Sequence, residues 1–114
     1  MNTNIVINGF FGRMGQAILE ESLKIVDVKI AAGCDINTNL KENSQVEVTN
    51  SLSKIKSPFD VVIDFSLAAA TIDVVTECVN LNKPVVIGTT GHNSSQLSNI
   101  EKLSSSIPIL LAPN

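Results

Sequence analysis

A glycine recurs at every third position in Gly9-Phe10-Phe11-Gly12-Arg13-Met14-Gly15, directly after the β-branched run Ile5-Val6-Ile7. Few folds accommodate that order. A strand that ends on a glycine turn and runs on into a helix is the opening unit of a dinucleotide-binding sheet, and each glycine then has its own task. Gly9 permits the tight turn, Gly12 lets the backbone approach a pyrophosphate, and Gly15 lets the helix close on the strand. The orphan N–H groups of the first helical turn, at the positive end of the helix dipole, face the phosphates. The spacing is G-x-x-G-x-x-G rather than G-x-G-x-x-G, so the motif alone leaves open a glycine-rich turn without a ligand.

The rest of the chain repeats the pattern of that unit. Short apolar runs recur at Val28-Lys29-Ile30-Ala31, Val61-Val62-Ile63, Val85-Val86-Ile87 and Ile107-Pro108-Ile109-Leu110-Leu111. Runs apolar on consecutive positions suit strands covered on both faces, as in a parallel sheet. Val61, Val85 and Ile109 stand 24 residues apart, twice, which is room for strand, helix and return. Between them Leu67, Ala70, Thr71, Val74, Val75, Cys78 and Leu81 follow helical spacing and predict one apolar face over 67–81. Met14, Ala17, Ile18 and Ile25 predict a helix over 13–26. Asn93 with Gln96 resembles a capping box before Leu97, Ile100 and Leu103. Val46-Glu47-Val48 is a candidate edge strand, and Pro84 opens its strand, where a missing N–H is tolerated. Strands alternating with helices imply an α/β, doubly wound parallel sheet of the Rossmann type, formed by residues 1–114 as one dinucleotide-binding domain.

Composition narrows the partners. The chain is 44% hydrophobic and 17% charged with a net charge of −3 and no basic run, so neither nucleic acid nor an anionic membrane is its expected partner. Neither a leader nor a membrane-length apolar stretch is present in it, and the expected location is cytoplasmic. Cys34 and Cys78 lack a neighbouring Cys or His at ligand spacing; they read as small buried apolar side chains, and no metal site is expected.

Asp35 ends the second strand, 20 residues after Gly15, where a carboxylate accepts hydrogen bonds from ribose hydroxyls. An acid there repels a 2′-phosphate, and Ile36 supplies no cation; Lys41 and Arg13 are the nearby candidates to offset it. The expected cofactor is therefore NAD(P)H, with NADH preferred. At the carboxyl ends of the next strands stand Asp64-Phe65-Ser66 and Gly88-Thr89-Thr90-Gly91. Ligands of open α/β sheets bind at those ends. On spacing alone Gly88–Gly91 reads equally as an ordinary tight turn. His92, the one histidine, reads as a solvated loop residue. No Ser/His/Asp set or carboxylate pair is evident, so no catalytic residue is expected on this chain.

These blocks together resemble the amino-terminal domain of the 4-hydroxy-tetrahydrodipicolinate reductases (dihydrodipicolinate reductases), a family of bacterial lysine and diaminopimelate biosynthesis. The resemblance rests on Gly9–Gly15, Asp35, Val62-Ile63-Asp64-Phe65-Ser66, Val86-Ile87-Gly88-Thr89-Thr90-Gly91 and Ala112-Pro113-Asn114, and runs the length of the chain. It implies that Gly12, Arg13 and Met14 contact the cofactor phosphates and Asp35 the adenosine ribose. Phe65 and Ser66 would lie along the nicotinamide, Gly88 and Thr90 would bridge nicotinamide and substrate, and Ala112 and Asn114 would line the same cleft. The implied reaction delivers a hydride to the unsaturated ring of a cyclic dicarboxylate, a small-molecule substrate, and the full-length enzyme is expected to be a homo-oligomer.

The chain departs from the family at two places. Leu67-Ala68 stand where the family often carries a basic residue or His and a Pro. The paired His, the Lys and the Ser-Gly-Thr segment that bind and protonate substrate in the family are not within these residues, so a carboxy-terminal substrate-binding and oligomerisation domain is expected to be absent from the chain. The alternative reading is a non-catalytic NAD(H)-sensing module. Gly88–Gly91 with Ala112–Asn114 favours the reductase, since a sensor has no need of them. Another amino-acid-pathway dehydrogenase with a similar first domain is a third reading.

Overall fold

In the computed structural model, which describes residues 2–39 and 45–112, six strands form one parallel sheet. In chain order these are β1 (Thr3–Asn8), β2 (Val28–Cys34), β3 (Glu47–Thr49), β4 (Val61–Asp64), β5 (Val85–Ile87) and β6 (Ile109–Leu111). The helices are α1 (Arg13–Ser22), α2 (Thr71–Leu81) and α3 (Ser94–Leu103). The strand order is β3-β2-β1-β4-β5-β6, so the chain reverses its direction of travel across the sheet between β1 and β4. That reversal opens a crevice at the carboxyl ends of those strands, where ligands of such sheets bind.

Both faces of the sheet are covered, which is why the strands are apolar on consecutive positions. One face packs Ile5, Ile7, Phe10 and Ile30 with Ile18 and Leu19 of α1. The other packs Val6, Val62, Val85 and Ile87 with Val75 and Cys78 of α2 and Ile100 of α3. The Asn93 capping box is present, each partner accepting the other's backbone N–H at 2.8 Å. The edge strand expected at 46–48 runs Glu47–Thr49, beside β2.

Several expected boundaries move. β2 continues past Ala31 to Cys34, with Phe10 lying on its Gly33. α1 stops at Ser22 and buries Gly15 and Ser22, not Met14 and Ile25, which are exposed. Small residues on that face let the helix approach the sheet closely. α2 begins at Thr71; Leu67 is extended and exposed, and a 3-10 turn, Ala68–Ala70, separates the two. The cause is Asp64, whose carboxylate accepts both Ser66 N–H and Oγ–H and holds the chain across the strand ends before a helix can start. In the run 107–111 only Ile109–Leu111 is strand, at the sheet edge, with Leu110 exposed.

Cys34 and Cys78 are free and buried, as their spacing implied. Burial is the main cause that pushes the Cys34 thiol up from 9.0 to about 11 and the Cys78 thiol up to about 12. Both folded values exceed the unfolded one, so above about pH 9 the unfolded chain releases protons that the native chain retains. Stability is then expected to fall with rising pH through that window, by up to about 1.4 kcal/mol per thiol per pH unit. Urea melts between about pH 8 and pH 10 check the sign, and a chromogenic disulfide should label neither thiol until denaturant is added. Flat stability across that range, or prompt native labelling, contradicts the burial.

Candidate functional site: a cleft at the strand ends

β1 delivers the chain into a turn that its neighbours lock. Gly9 has φ +83° and a built Cβ would stand 2.8 Å from the Phe65 carbonyl oxygen, so this position requires glycine. The N–H groups of Gly9 and Phe10 both donate to the Cys34 carbonyl, at 2.9 and 3.0 Å. Phe11 N–H donates to the Asp35 carboxylate at 2.8 Å, and Gln16 Nε2 donates to the Phe10 carbonyl at 2.8 Å. The turn is thereby pinned to the end of β2 and to its own helix.

Gly12 caps α1 with φ −71° and ψ 169°, and no side chain caps the helix. The N–H groups of the first turn therefore lack intrahelical partners, and no acidic residue stands in that turn to neutralise the dipole. A Cβ on Gly12 would meet only the Gly9 carbonyl oxygen, at 3.2 Å, whereas one on Gly15 would stand 2.5 Å from that same oxygen. Gly15 is glycine for internal packing. Gly12 faces a cleft.

That cleft, of about 490 Å³, is lined by Gly9, Gly12, Asp35, Ile36, Leu52, Phe65, Ser66, Leu67 and Val74, with Asp73 and Glu77 on the α2 side. A second, of about 400 Å³, is lined by Met14, Phe65, Ser66, Leu67, Gly88, Thr89 and Thr90. Phe65, Ser66 and Leu67 belong to both, so the two form one furrow along the strand ends. The structure thus brings together Gly9, Gly12, Met14, Asp35, Phe65, Ser66, Gly88 and Thr90. Gly15 lies beneath the turn, and Arg13 is exposed at the start of α1. Ala112 is exposed past β6, where its N–H donates to the Ile87 carbonyl at 2.8 Å, and it lines neither cleft. Asn114 and Lys41 lie outside the described residues.

Gly88 has a further reason to be glycine: a Cβ there would stand 2.2 Å from the Phe65 ring. Asp35 uses both carboxylate oxygens internally, Oδ2 for Phe11 N–H and Oδ1 for Asn37 N–H at 2.9 Å. Each oxygen keeps a second lone pair for the cleft.

Sequence reasoning overlooked a buried network under the furrow. Asp64, 0% exposed, accepts from Asn8 Nδ2 at 2.8 Å, Ser66 Oγ at 2.6 Å and Thr89 Oγ1 at 3.3 Å. The β1–β4 register sets Asn8 beside Asp64. A carboxylate closing an apolar run was the signal available. His92 is also not a solvated loop residue. It is half-buried, with Nε2 2.8 Å from the buried Thr71 hydroxyl at the start of α2. Among the described residues no group of three His, Cys, Asp or Glu is placed to hold a metal ion, and no helix is long and apolar enough to cross a membrane.

Comparison with known proteins gives the following likenesses. Residues 3–114 match the family model described as dihydrodipicolinate reductase, N-terminus. A 4-hydroxy-tetrahydrodipicolinate reductase of Buchnera aphidicola subsp. Cinara cedri is 36% identical over 124 aligned residues, covering 98% of this chain and 45% of that protein. The solved dipicolinate-bound dihydrodipicolinate reductase from Paenisporosarcina sp. TG-14 superposes with a TM-score of 0.71 at 27% identity, over 91% of this chain and 43% of that one. A probable dehydrogenase from Thermotoga maritima, at 21% identity and a TM-score of 0.80 over 96% of this chain and 35% of its own, shares the fold. The chain spans less than half the length of the curated relatives it matches.

Proposed function

The chain belongs to the dihydrodipicolinate reductase family, of which it matches the amino-terminal domain, and from that premise we propose that it is the nicotinamide-dinucleotide half of a 4-hydroxy-tetrahydrodipicolinate reductase. The observation that carries this reading is Gly12. Its backbone conformation is open to any residue, and a Cβ would touch only Gly9 internally, so its missing side chain leaves room in the cleft beside the unpaired N–H groups of α1. A pyrophosphate fits that place.

The remaining roles follow the furrow. Gly9 and Gly15 shape the phosphate turn, and Arg13 and Met14 flank it. Asp35 accepts from the adenosine ribose, while Ile36, Leu52, Leu67 and Val74 offer apolar walls to the adenine. Phe65, Ser66, Gly88 and Thr90 hold the nicotinamide end, with Thr90 also meeting substrate. The bound cofactor supplies the hydride; substrate clamping and protonation belong to a second domain outside these residues. The complete enzyme is proposed to be a cytoplasmic homo-oligomer.

NADH is the preferred cofactor in this proposal. Asp35, Asp73 and Glu77 line the adenosine cleft, and no Lys or Arg does so among the described residues. A 2′-phosphate would therefore meet the negative charge of Asp35, Asp73 and Glu77. Calorimetric titration should give a tighter Kd for NADH than for NADPH. Asp35→Ala should weaken NADH by roughly ten- to a hundredfold. Equal or tighter NADPH binding would remove the ribose role from Asp35, and a folded chain that binds neither would overturn the cofactor reading.

A further inference from the structure

We propose that Asp64 biases a bound nicotinamide couple toward its oxidised, cationic form and so strengthens the reduced cofactor as a hydride donor. The inference rests on the cofactor reading above and adds a residue that touches neither ligand. Asp64 ends β4, and its hydrogen-bond partners Ser66 and Thr89 both line the 400 Å³ cleft with Gly88 and Thr90. The carboxyl group therefore lies one side chain beneath the proposed nicotinamide site.

Three hydrogen bonds converge on Oδ1, which takes Asn8 Nδ2–H at 2.8 Å, Ser66 N–H at 3.1 Å and Ser66 Oγ–H at 2.6 Å. The Thr89 hydroxyl stands 3.3 Å from Oδ2 and 3.2 Å from the Asp64 backbone carbonyl, and its proton is shared between them. Three donors converging on one oxygen stabilise negative charge there. The group is 0% exposed, and among the described residues no cationic side chain forms an ion pair with it. Such a charge is hydrogen-bonded but electrically unbalanced.

A dihydronicotinamide ring is neutral, and the oxidised ring carries one positive charge. A cation held over Ser66 and Thr89 supplies the missing counterion, and the weak screening beneath a buried surface keeps that attraction large. The neutral ring gains nothing from it. The field thus separates the two redox forms of one ligand, which hydrogen bonding to the carboxamide or the phosphates does not do.

The test is Asp64→Asn, which keeps shape and removes charge, read by the Kd values of NAD+ and NADH for the 114-residue chain. We expect NAD+ to weaken relative to NADH by roughly tenfold. A purely structural role predicts that both weaken alike, and an unchanged ratio overturns the proposal. If Asp64→Asn does not fold, the wild-type chain is titrated with NAD+ and with benzamide adenine dinucleotide, a neutral aromatic isostere. NAD+ should bind tighter by roughly the same tenfold, and equal affinities overturn the proposal. A folded wild-type chain that binds no dinucleotide fails the cofactor reading itself, a result distinct from an unchanged ratio.

Discussion

Replacing Gly12 with valine is expected to leave a folded chain whose affinity for NADH has fallen by at least roughly a hundredfold. The backbone there, at φ −71° and ψ 169°, is a conformation valine adopts readily, and the Cβ needs only a few tenths of an ångström from the Gly9 carbonyl, now 3.2 Å away. Losing a favourable helix cap costs about 1 kcal/mol, which a domain of this size tolerates. The two γ-methyls, in contrast, would occupy cleft space beside the first-turn N–H groups that a pyrophosphate needs. Gly15→Ala provides the opposite result, because its Cβ would stand 2.5 Å from the Gly9 carbonyl and 2.6 Å from that of Phe10. It should lose stability first and binding only as a consequence. Urea melts paired with calorimetric titration separate the two. A folded Gly12→Val chain with wild-type affinity would mean that the phosphates lie elsewhere.

The largest loss of stability is expected from Gly33→Val. Valine is a good strand residue and Gly33 lies within β2, so propensity alone predicts a gain. Packing reverses the sign. The added Cβ would stand 2.3 to 2.7 Å from Phe10, with the Phe10 Cβ itself among the atoms struck, so rotating the ring gives no relief. Phe10 is 1% exposed and its N–H is held by the Cys34 carbonyl. Evicting that ring costs about as much as deleting it, roughly 3–5 kcal/mol, out of the 5–15 kcal/mol typical of a domain. The check is a double-mutant cycle in urea: adding Phe10→Ala to Gly33→Val should cost far less than Phe10→Ala alone. A Gly33→Val chain within about 1 kcal/mol of wild type would show that the ring does not depend on this glycine.

The fold was legible because each strand of a parallel sheet is apolar at consecutive positions and each helix keeps its own period, and both are local properties. The glycine turn was legible for the same reason, since strand, turn and helix are contiguous. What escaped depended on distant partners. Leu67 fits the helical spacing of 67–81, yet it is held out of the helix by the Asp64–Ser66 bonds. Met14 fits the spacing of α1, but the face that turns inward is chosen by Gly15 and Ser22, whose smallness permits the approach. Asp64 itself draws on Asn8 and Thr89, 56 and 25 residues away, and a buried carboxylate is recognisable only once those donors are assembled. His92 was misread likewise, because its partner Thr71 is on another element.

The bond from Phe11 N–H to Asp35 also bears on how a protein of this design changes its taste in cofactors. The simplest route to accepting a 2′-phosphate would discard the acid at the end of β2. Here that step would remove one of the three bonds that tie the turn to the end of β2 and strand a backbone donor, so the intermediate variant would bind both dinucleotides poorly. The open route is addition. Ile36 is 93% exposed and lines the same cleft, and an arginine there would neutralise the phosphate while Asp35 kept the turn in place. Starting from the proposed preference for NADH, a lineage, or an engineer, is therefore steered toward broadened use of both cofactors before any clean exchange of one for the other.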